Sequence, residues 1–349
     1  MTEVRIPASI DEVDADWLAA ATGWDVRTAT SEQIGVGIGV SSALYRVALE
    51  GSCPESVIVK LPALDEAAVF TSTILRMYHR EVGFFAEIAA ECPVRVPASY
   101  YGAVADDSGS FVVVMEDLCG LRVVDQVEGM ELSDAELSVD ALAAWHATWW
   151  GKADHYVDAG LTLALSDPIY PAVLPMVFDE GWAKVTEHME LPASIMAVGE
   201  HYTGAIEHLL KDLSQGPNTL AHGDYRGDNL LFDADGSVVV LDFQLIGTGS
   251  AAYDLAYFVT QSLDADLASN NERALFDRWI EGLRAGGVGD DQLPRMWEDY
   301  RKAALFCLSY PIIASRGMDL SDPRQHDLLA CMNTRYARAV EELDLAELL

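Results

Sequence analysis

His222-Gly-Asp-Tyr-Arg-Gly-Asp-Asn-Leu-Leu-Phe232, followed by Val238-Val-Val-Leu-Asp-Phe-Gln244, is the stretch on which the reading of this chain turns. It sets an acid, Asp224, a cation two positions on, Arg226, and an amide five positions on, Asn229, in one short loop. A second acid, Asp242, ends an apolar β-type run. Phosphoryl transfer from ATP needs that set: a carboxylate to orient or deprotonate an attacking hydroxyl, and oxygen ligands to hold Mg2+ on the phosphates. The spacing assigns Asp224 as base, Asn229 and Asp242 as metal ligands, and Arg226 as a cation near the transferred group. An Asx-rich surface turn before a buried strand is the ordinary reading of such clusters. It leaves the His-Gly-Asp triplet, the Asp-to-Asn spacing and the strand-end acid as coincidences.

At these residues the chain resembles the aminoglycoside phosphotransferase and choline kinase group, the small-molecule branch of the protein-kinase-like fold. That group carries His-Gly-Asp-x-x-x-x-Asn where protein kinases carry His-Arg-Asp-x-x-x-x-Asn. The Asp-Phe-Gln ending, in place of Asp-Phe-Gly, most resembles the ecdysteroid-kinase-like branch. The resemblance implies an α+β, bilobal fold. A small lobe over residues 1–117 would hold an antiparallel sheet and one long helix. A larger, mainly helical lobe over 118–349 would carry a catalytic β-hairpin.

The 349 residues suffice for two lobes with a cleft between them, and half are hydrophobic, so a sizeable core is expected. No apolar run reaches the ~18 residues of a membrane span. The first sixteen residues lack a charged-then-apolar signal pattern. The five cysteines are scattered and form no Cys-x-x-Cys pair, which argues against a disulfide framework or zinc site. A cytoplasmic monomer or homodimer is the resulting expectation. The 56 acidic against 22 basic residues, net −34, would repel nucleic acid and anionic membranes, and neither is expected as a partner. The same charge would attract a cationic substrate or simply keep the chain soluble.

Residues 24–61 read as three strands, with Gly35, Gly37 and Gly39 and then Ser41 and Ser42 between the first two. Glycines let a backbone approach phosphates and present N–H groups to them. The third glycine arrives one residue early for G-x-G-x-x-G, and the Gly-Lys-Ser/Thr of a Walker loop is absent. Lys60 ends the run Val57-Ile-Val59. An acid on the following helix, read over Asp65–Ala90, can pair with it and hold it on the nucleotide; Glu81 is preferred over Glu66 and Glu87. Two strands around Ala98–Ala105 and Phe111–Met115 follow. In the resembled fold, Met115-Glu-Asp-Leu118 is the crossing between lobes, and Met115 and Asp117 are assigned to the nucleotide.

His222 reads as a brace, not a base. Arg226 is open between stabilising phosphoryl charge and pairing with Asp228. Leu230–Phe232 and Val238–Leu241 should flank the turn Asp233-Ala-Asp-Gly236; residues 247–258 resemble the family's helix after the metal loop, which implies that Asp254 supports the catalytic loop through its backbone. His146 and the tryptophans around it read as core. The leading expectation is an ATP- and Mg2+-dependent kinase of a small-molecule hydroxyl, preferably an uncharged or apolar alcohol. An aminoglycoside or other cationic acceptor is the alternative, and a nucleotide-binding pseudokinase is a third reading of another class.

Overall fold

The computed structural model describes residues 4–35, 41–106 and 109–349. Its contacts divide the chain into two compact units. One is Met1–Glu91, Val96–Leu121 and Phe243–Leu245; the other is Cys92–Arg95, Arg122–Asp242 and Ile246–Leu349. The main division falls after Leu121 instead of 117, and two short segments are exchanged between the units.

The first unit begins with α1 (Ala15–Thr22), whose first turn is capped by Asp14 accepting from the Trp17 amide and whose end is Gly23. Strands β1 (Asp25–Ile34), β2 (Ser42–Ser52) and β3 (Ser56–Pro62) follow. Helices α2 (Glu66–Ile74) and α3 (Met77–Gly83) and strands β4 (Ser99–Val104) and β5 (Phe111–Glu116) complete it. The sheet order is β1-β2-β3-β5-β4, antiparallel at every step. Alternation along β3 sorts its residues between two faces. Val57, Val59 and Leu61 join Tyr45, Val47, Val112 and Val114 in one core with Leu18 of α1. Lys60 lies on the other face, opposite Leu44 and Val113, where Phe111 and Val113 pack against Tyr78.

The single long helix expected over Asp65–Ala90 is two helices and a widened turn. Asp65 caps α2, accepting from the Ala68 amide, and Glu66 occupies its first turn. The helix stops at Leu75, and Arg76 adopts left-handed backbone, φ 52° and ψ 31°. From there α3 passes into a π-helical turn, Phe84–Ile88. Burial explains the break. Among α2 residues only Ser72 is buried and Phe70 is 66% exposed, whereas α3 buries Met77, Tyr78, Arg80 and Glu81. A straight continuation would carry the exposed stripe of α2 into the face that α3 must bury.

The second unit contains β6 (Arg122–Val123), α4 (Leu132–Trp149), α5 (Asp154–Asp158), β7 (Leu163–Ala164), α6 (Ile169–His188) and α7 (Ala193–Leu213). Then come β8 (Thr219–Ala221), β9 (Leu230–Phe232), β10 (Val238–Val240), β11 (Gly247–Gly249) and α8 (Ala252–Ser262). It ends with α9 (Ala265–Ala285), α10 (Met296–Cys307), α11 (Ser309–Ala314) and α12 (Pro323–Glu342). Two small sheets, β10-β9-β6 and β7-β11-β8, hold the chemistry-bearing loops. Every residue of α8 is buried, so the loops rest on a helix with no solvent face. The β9–β10 hairpin closes through Asp233-Ala-Asp-Gly236, with the Gly236 amide donating to the Asp233 carbonyl at 3.0 Å. Asp233 also takes Arg95 at 3.1 Å, so it is anchored as well as solvated. Trp145 and Trp149 are core residues, and Trp182 stacks on Phe178 one turn earlier in α6. No helix of the described residues is long and apolar enough to cross a membrane.

Left-handed backbone at a residue with a Cβ costs roughly 1–2 kcal/mol, more when the side chain is β-branched. Exposed Arg76 therefore makes a clean test. Arg76→Val is expected to lower unfolding stability by about 1–2 kcal/mol, while Arg76→Gly leaves it equal or higher. Denaturant melts in which the two variants lose stability equally would contradict the break.

Candidate functional site

In the first unit, Lys60 and Glu81 form a buried ion pair, Nζ to Oε1 at 2.8 Å, with Lys60 3% and Glu81 1% exposed. Glu66 serves the start of α2 and Glu87 is exposed, so Glu81 is the helix acid that β3 receives. Removing two charges from water is costly unless each is compensated, and this pair supplies part of that compensation.

Gly35 has φ 65°, a conformation open to glycine at the start of the loop. Gly37 and Gly39 lie outside the described residues. Ser41 and Ser42 meet a side chain far along the sequence: Ser41 Oγ donates to Gln244 Oε1 at 2.5 Å, and Gln244 Nε2 donates to Ser42 Oγ at 2.6 Å. Phe243 stacks on Phe84 with ring centroids 3.6 Å apart and meets Phe85 edge-on, which seats residues 243–245 in this unit. Met115 lies at the end of β5, opposite Ile58 and Ser99. Asp117 is committed to structure: Arg46 donates to it at 2.8 Å, Ser56 at 2.7 Å and the Cys119 amide at 3.1 Å. Burial works to raise its carboxyl pKa, but the donors from Arg46 and Ser56 outweigh burial and hold it low.

In the second unit, β8 delivers His222, Gly223 and Asp224 into a loop whose backbone is held from below. Asp254, in the first turn of α8, accepts the His222 amide on Oδ2 at 2.7 Å and the Gly223 amide on Oδ1 at 2.9 Å. Gly223 turns the chain at φ 85°, which a Cβ would resist. His146 supports Asp254 in turn. Trp279 Nε1 can only donate, and it faces His146 Nδ1 at 3.1 Å. That fixes Nδ1 as acceptor and leaves Nε2–H to donate to Asp254 at 3.0 Å. The same logic fixes His222. Its Nδ1 accepts from the Asp224 amide at 3.2 Å, so its Nε2–H donates to the Leu241 carbonyl at 2.9 Å. His222 thus bridges the loop and the residue before Asp242.

Asn229 Nδ2 donates to the Asp224 carbonyl and to Asp224 Oδ2, both at 2.8 Å. The carboxylate is oriented by that amide, and Asn229 Oδ1 is the atom left to take a cation. The Leu241 amide donates to the Asn229 carbonyl at 2.9 Å, which brings the two candidate metal ligands to adjoining stretches of backbone. Asp242 has left-handed backbone at φ 61°, unusual for a non-glycine residue. Hard oxygen donors from an amide and a carboxylate suit Mg2+, which usually takes one or two protein ligands and completes its shell with phosphates and water. No cluster of three or more His, Cys, Asp or Glu fit for a metal occurs among the described residues.

Arg226 lies between two carboxylates, Nε to Asp224 at 3.2 Å and Nη1 to Asp228 at 2.9 Å. Of the two roles left open by the sequence, the structure displays the pairing with Asp228. Burial alone would lower the guanidinium pKa, but Asp224, Asp228 and Asp242 together raise it, so the cation is permanent. The sequence reading missed the tyrosines of this site. Tyr253 donates to the Gly223 carbonyl at 3.1 Å and contacts the Tyr310 hydroxyl. Tyr257 is buried, and its pKa is driven up first by burial and then by the Asp224 charge. Their spacing of four on one helix was the available signal.

A phosphotransferase enzyme family model matches residues 32–297, a span that includes Lys60 and Glu81 as well as the 222–242 segment. The chain belongs to that family. Solved structures with its fold include amicoumacin kinase hAmiN in complex with AMP-PNP, Ca2+ and Ami, at 13% identity and TM-score 0.57, covering 95% of this chain and 93% of that one. A putative aminoglycoside phosphotransferase from Ralstonia eutropha JMP134 has 17% identity and TM-score 0.54, covering 94% and 98%. Choline kinase LicA from Streptococcus pneumoniae has 13% identity and TM-score 0.52, covering 96% and 99%. No curated protein matches. At such identities the structural likeness establishes a protein-kinase-like fold, and this phosphotransferase-family chain has it.

Burial raises the carboxyl pKa of Asp228 above its ordinary 3.8, with Asp224 adding and Arg226 opposing. The folded state therefore binds that proton more tightly than the unfolded chain, and the group's contribution to stability falls as pH rises through the folded value. Asp228→Asn stays neutral. It is expected to match the wild type near pH 3 and to gain on it towards about pH 7. A stability difference that stays flat in denaturant melts over that range would exclude the shift.

Proposed function

We propose that this phosphotransferase-family protein is an ATP-dependent kinase of a small-molecule hydroxyl. The observation that carries the reading is Asp224 itself. Its carboxylate is half-buried, hydrogen-bonded by Asn229 Nδ2 on one oxygen and ion-paired with Arg226 at the other, on a loop fixed by Asp254. A base on so rigid a support can receive an acceptor's O–H with little reorganisation. Asp224 takes the proton as the acceptor oxygen forms its bond to the γ-phosphorus and the bond to the leaving ADP oxygen breaks. Arg226 adds positive charge beside Asp224. Asn229 Oδ1 and Asp242 would hold Mg2+, which neutralises phosphate charge. Lys60, braced by Glu81, together with Gly35, Ser41 and Ser42, supplies donors for the nucleotide phosphates, and the end of β5 around Met115 offers backbone to the base. Asp117 acts by tying that strand end to β2 and β3.

Asp224→Ala is expected to cut turnover by at least ~100-fold while Mg·ATP still binds. Asp242→Asn should weaken Mg·ATP more than adenosine in calorimetry. Near-normal turnover in the first variant, or equal losses for both ligands in the second, would refute these roles.

For the acceptor, the reading is an uncharged or apolar alcohol. Support comes from Tyr253, Tyr257 and Tyr310, which gather at the Gly223–Asp224 loop, and from the Asp-Phe-Gln ending at 242–244. The net charge of −34 favours a cationic acceptor, the alternative reading. Diffuse surface charge acts only over about a Debye length, ~8 Å at physiological salt, so the walls around the base should dominate selectivity. In kinase assays, kanamycin-type aminoglycosides should be turned over poorly compared with a hydrophobic hydroxyl compound. Efficient aminoglycoside phosphorylation at micromolar substrate would reverse the choice.

A further inference from the structure

Gln244 ends the Asp-Phe-Gln run, is 1% exposed, and uses both ends of its amide on adjacent serines. The direction of these bonds has a chemical consequence. Oε1 can only accept, so Ser41 must donate to it. Nε2 can only donate, so Ser42 Oγ must accept, and the Ser42 proton is turned away from the amide. The backbone here is fixed from a second side, because the Tyr78 hydroxyl donates to the Ser41 carbonyl at 2.9 Å while its ring stacks on Phe111, centroids 4.1 Å apart.

Strand register says where that proton is offered. Ser42 pairs with Pro62 and Leu44 with Lys60, so Ser42 stands on the Lys60 face of the sheet, two residues along β2. One face thus presents an ammonium and a hydroxyl whose donor sense is imposed by Gln244. Two donors of that kind suit the oxygens of a phosphate chain. A glycine at 244 has no amide to impose anything.

We propose that Gln244 is a positioning residue that orients the Ser42 hydroxyl to donate to a nucleotide phosphate oxygen. This rests on the phosphoryl-transfer reading above. It deepens that reading by making the Asp-Phe-Gln ending part of phosphate recognition.

The test is calorimetric titration of Mg·ATP and of adenosine into the full-length wild type, Gln244→Leu, Ser42→Ala and the double variant. Gln244→Leu should raise the Kd for Mg·ATP about tenfold, the scale of one hydrogen bond to a charged group, and leave adenosine within about twofold. Ser42→Ala should show the same phosphate-specific loss, which keeps the test decisive if Gln244→Leu folds poorly. The double variant should be no worse than either single one, as expected for groups acting through one contact. Equal losses for adenosine and Mg·ATP, additive losses in the double variant, or unchanged Mg·ATP binding would each overturn the inference alone. Wild-type protein that binds neither ligand would instead overturn the kinase reading and this inference with it.

Discussion

The carboxylate of Asp254 accepts two consecutive backbone amides, those of His222 and Gly223, and a side-chain donor from His146. The chemistry-bearing loop depends on this one group. Two adjacent N–H groups converge on one acceptor only where the chain turns sharply, and Gly223 at φ 85° provides the turn. The carboxylate sits in the first turn of α8, where the helix dipole favours negative charge. Buried acceptors of this kind are costly to leave unsatisfied, so loop and helix stabilise one another or neither is in place.

Polar groups in this region are used with fixed direction. Trp279, which can only donate, sets the tautomer of His146, and the Asp224 amide sets that of His222. Each histidine is thereby committed at both ring nitrogens to holding the loop. Arg226 solves a different difficulty. Asp224, Asp228 and Asp242 are acids of one neighbourhood, and all three act to hold its guanidinium charged. The guanidinium supplies counter-charge to Asp224 and Asp228 inside a partly dry loop.

In the first unit the governing constraint is the buried Lys60–Glu81 pair. An ammonium at 3% exposure needs counter-charge nearby, and α3 brings Glu81 to it. The exposed α2 and the buried α3 demand different faces, and Arg76 takes up the change of direction in left-handed backbone. The π-turn at Phe84–Ile88 then sets Phe84 against Phe243, so the widened helix receives the segment that brings Gln244 to the serines.

Much of this was legible in the sequence because it depends on local order. The His-Gly-Asp-x-x-x-x-Asn spacing identifies the family, since loop chemistry at fixed offsets does not need long-range packing to be recognised. Period-two alternation gave the strands around Lys60, and apolar runs bounded by Asp233–Gly236 gave the hairpin. Other features were decided by tertiary structure alone. The break at Arg76 depends on which face of each helix is covered, and periodicity within Asp65–Ala90 is compatible with one helix or two. The Ser41–Gln244–Ser42 bridge joins residues about two hundred positions apart, and Asp117 turned out to serve Arg46 and Ser56. Hydrogen bonds between distant side chains leave no periodic trace, because each partner satisfies only its own local rule until the packed chain brings them within 3 Å.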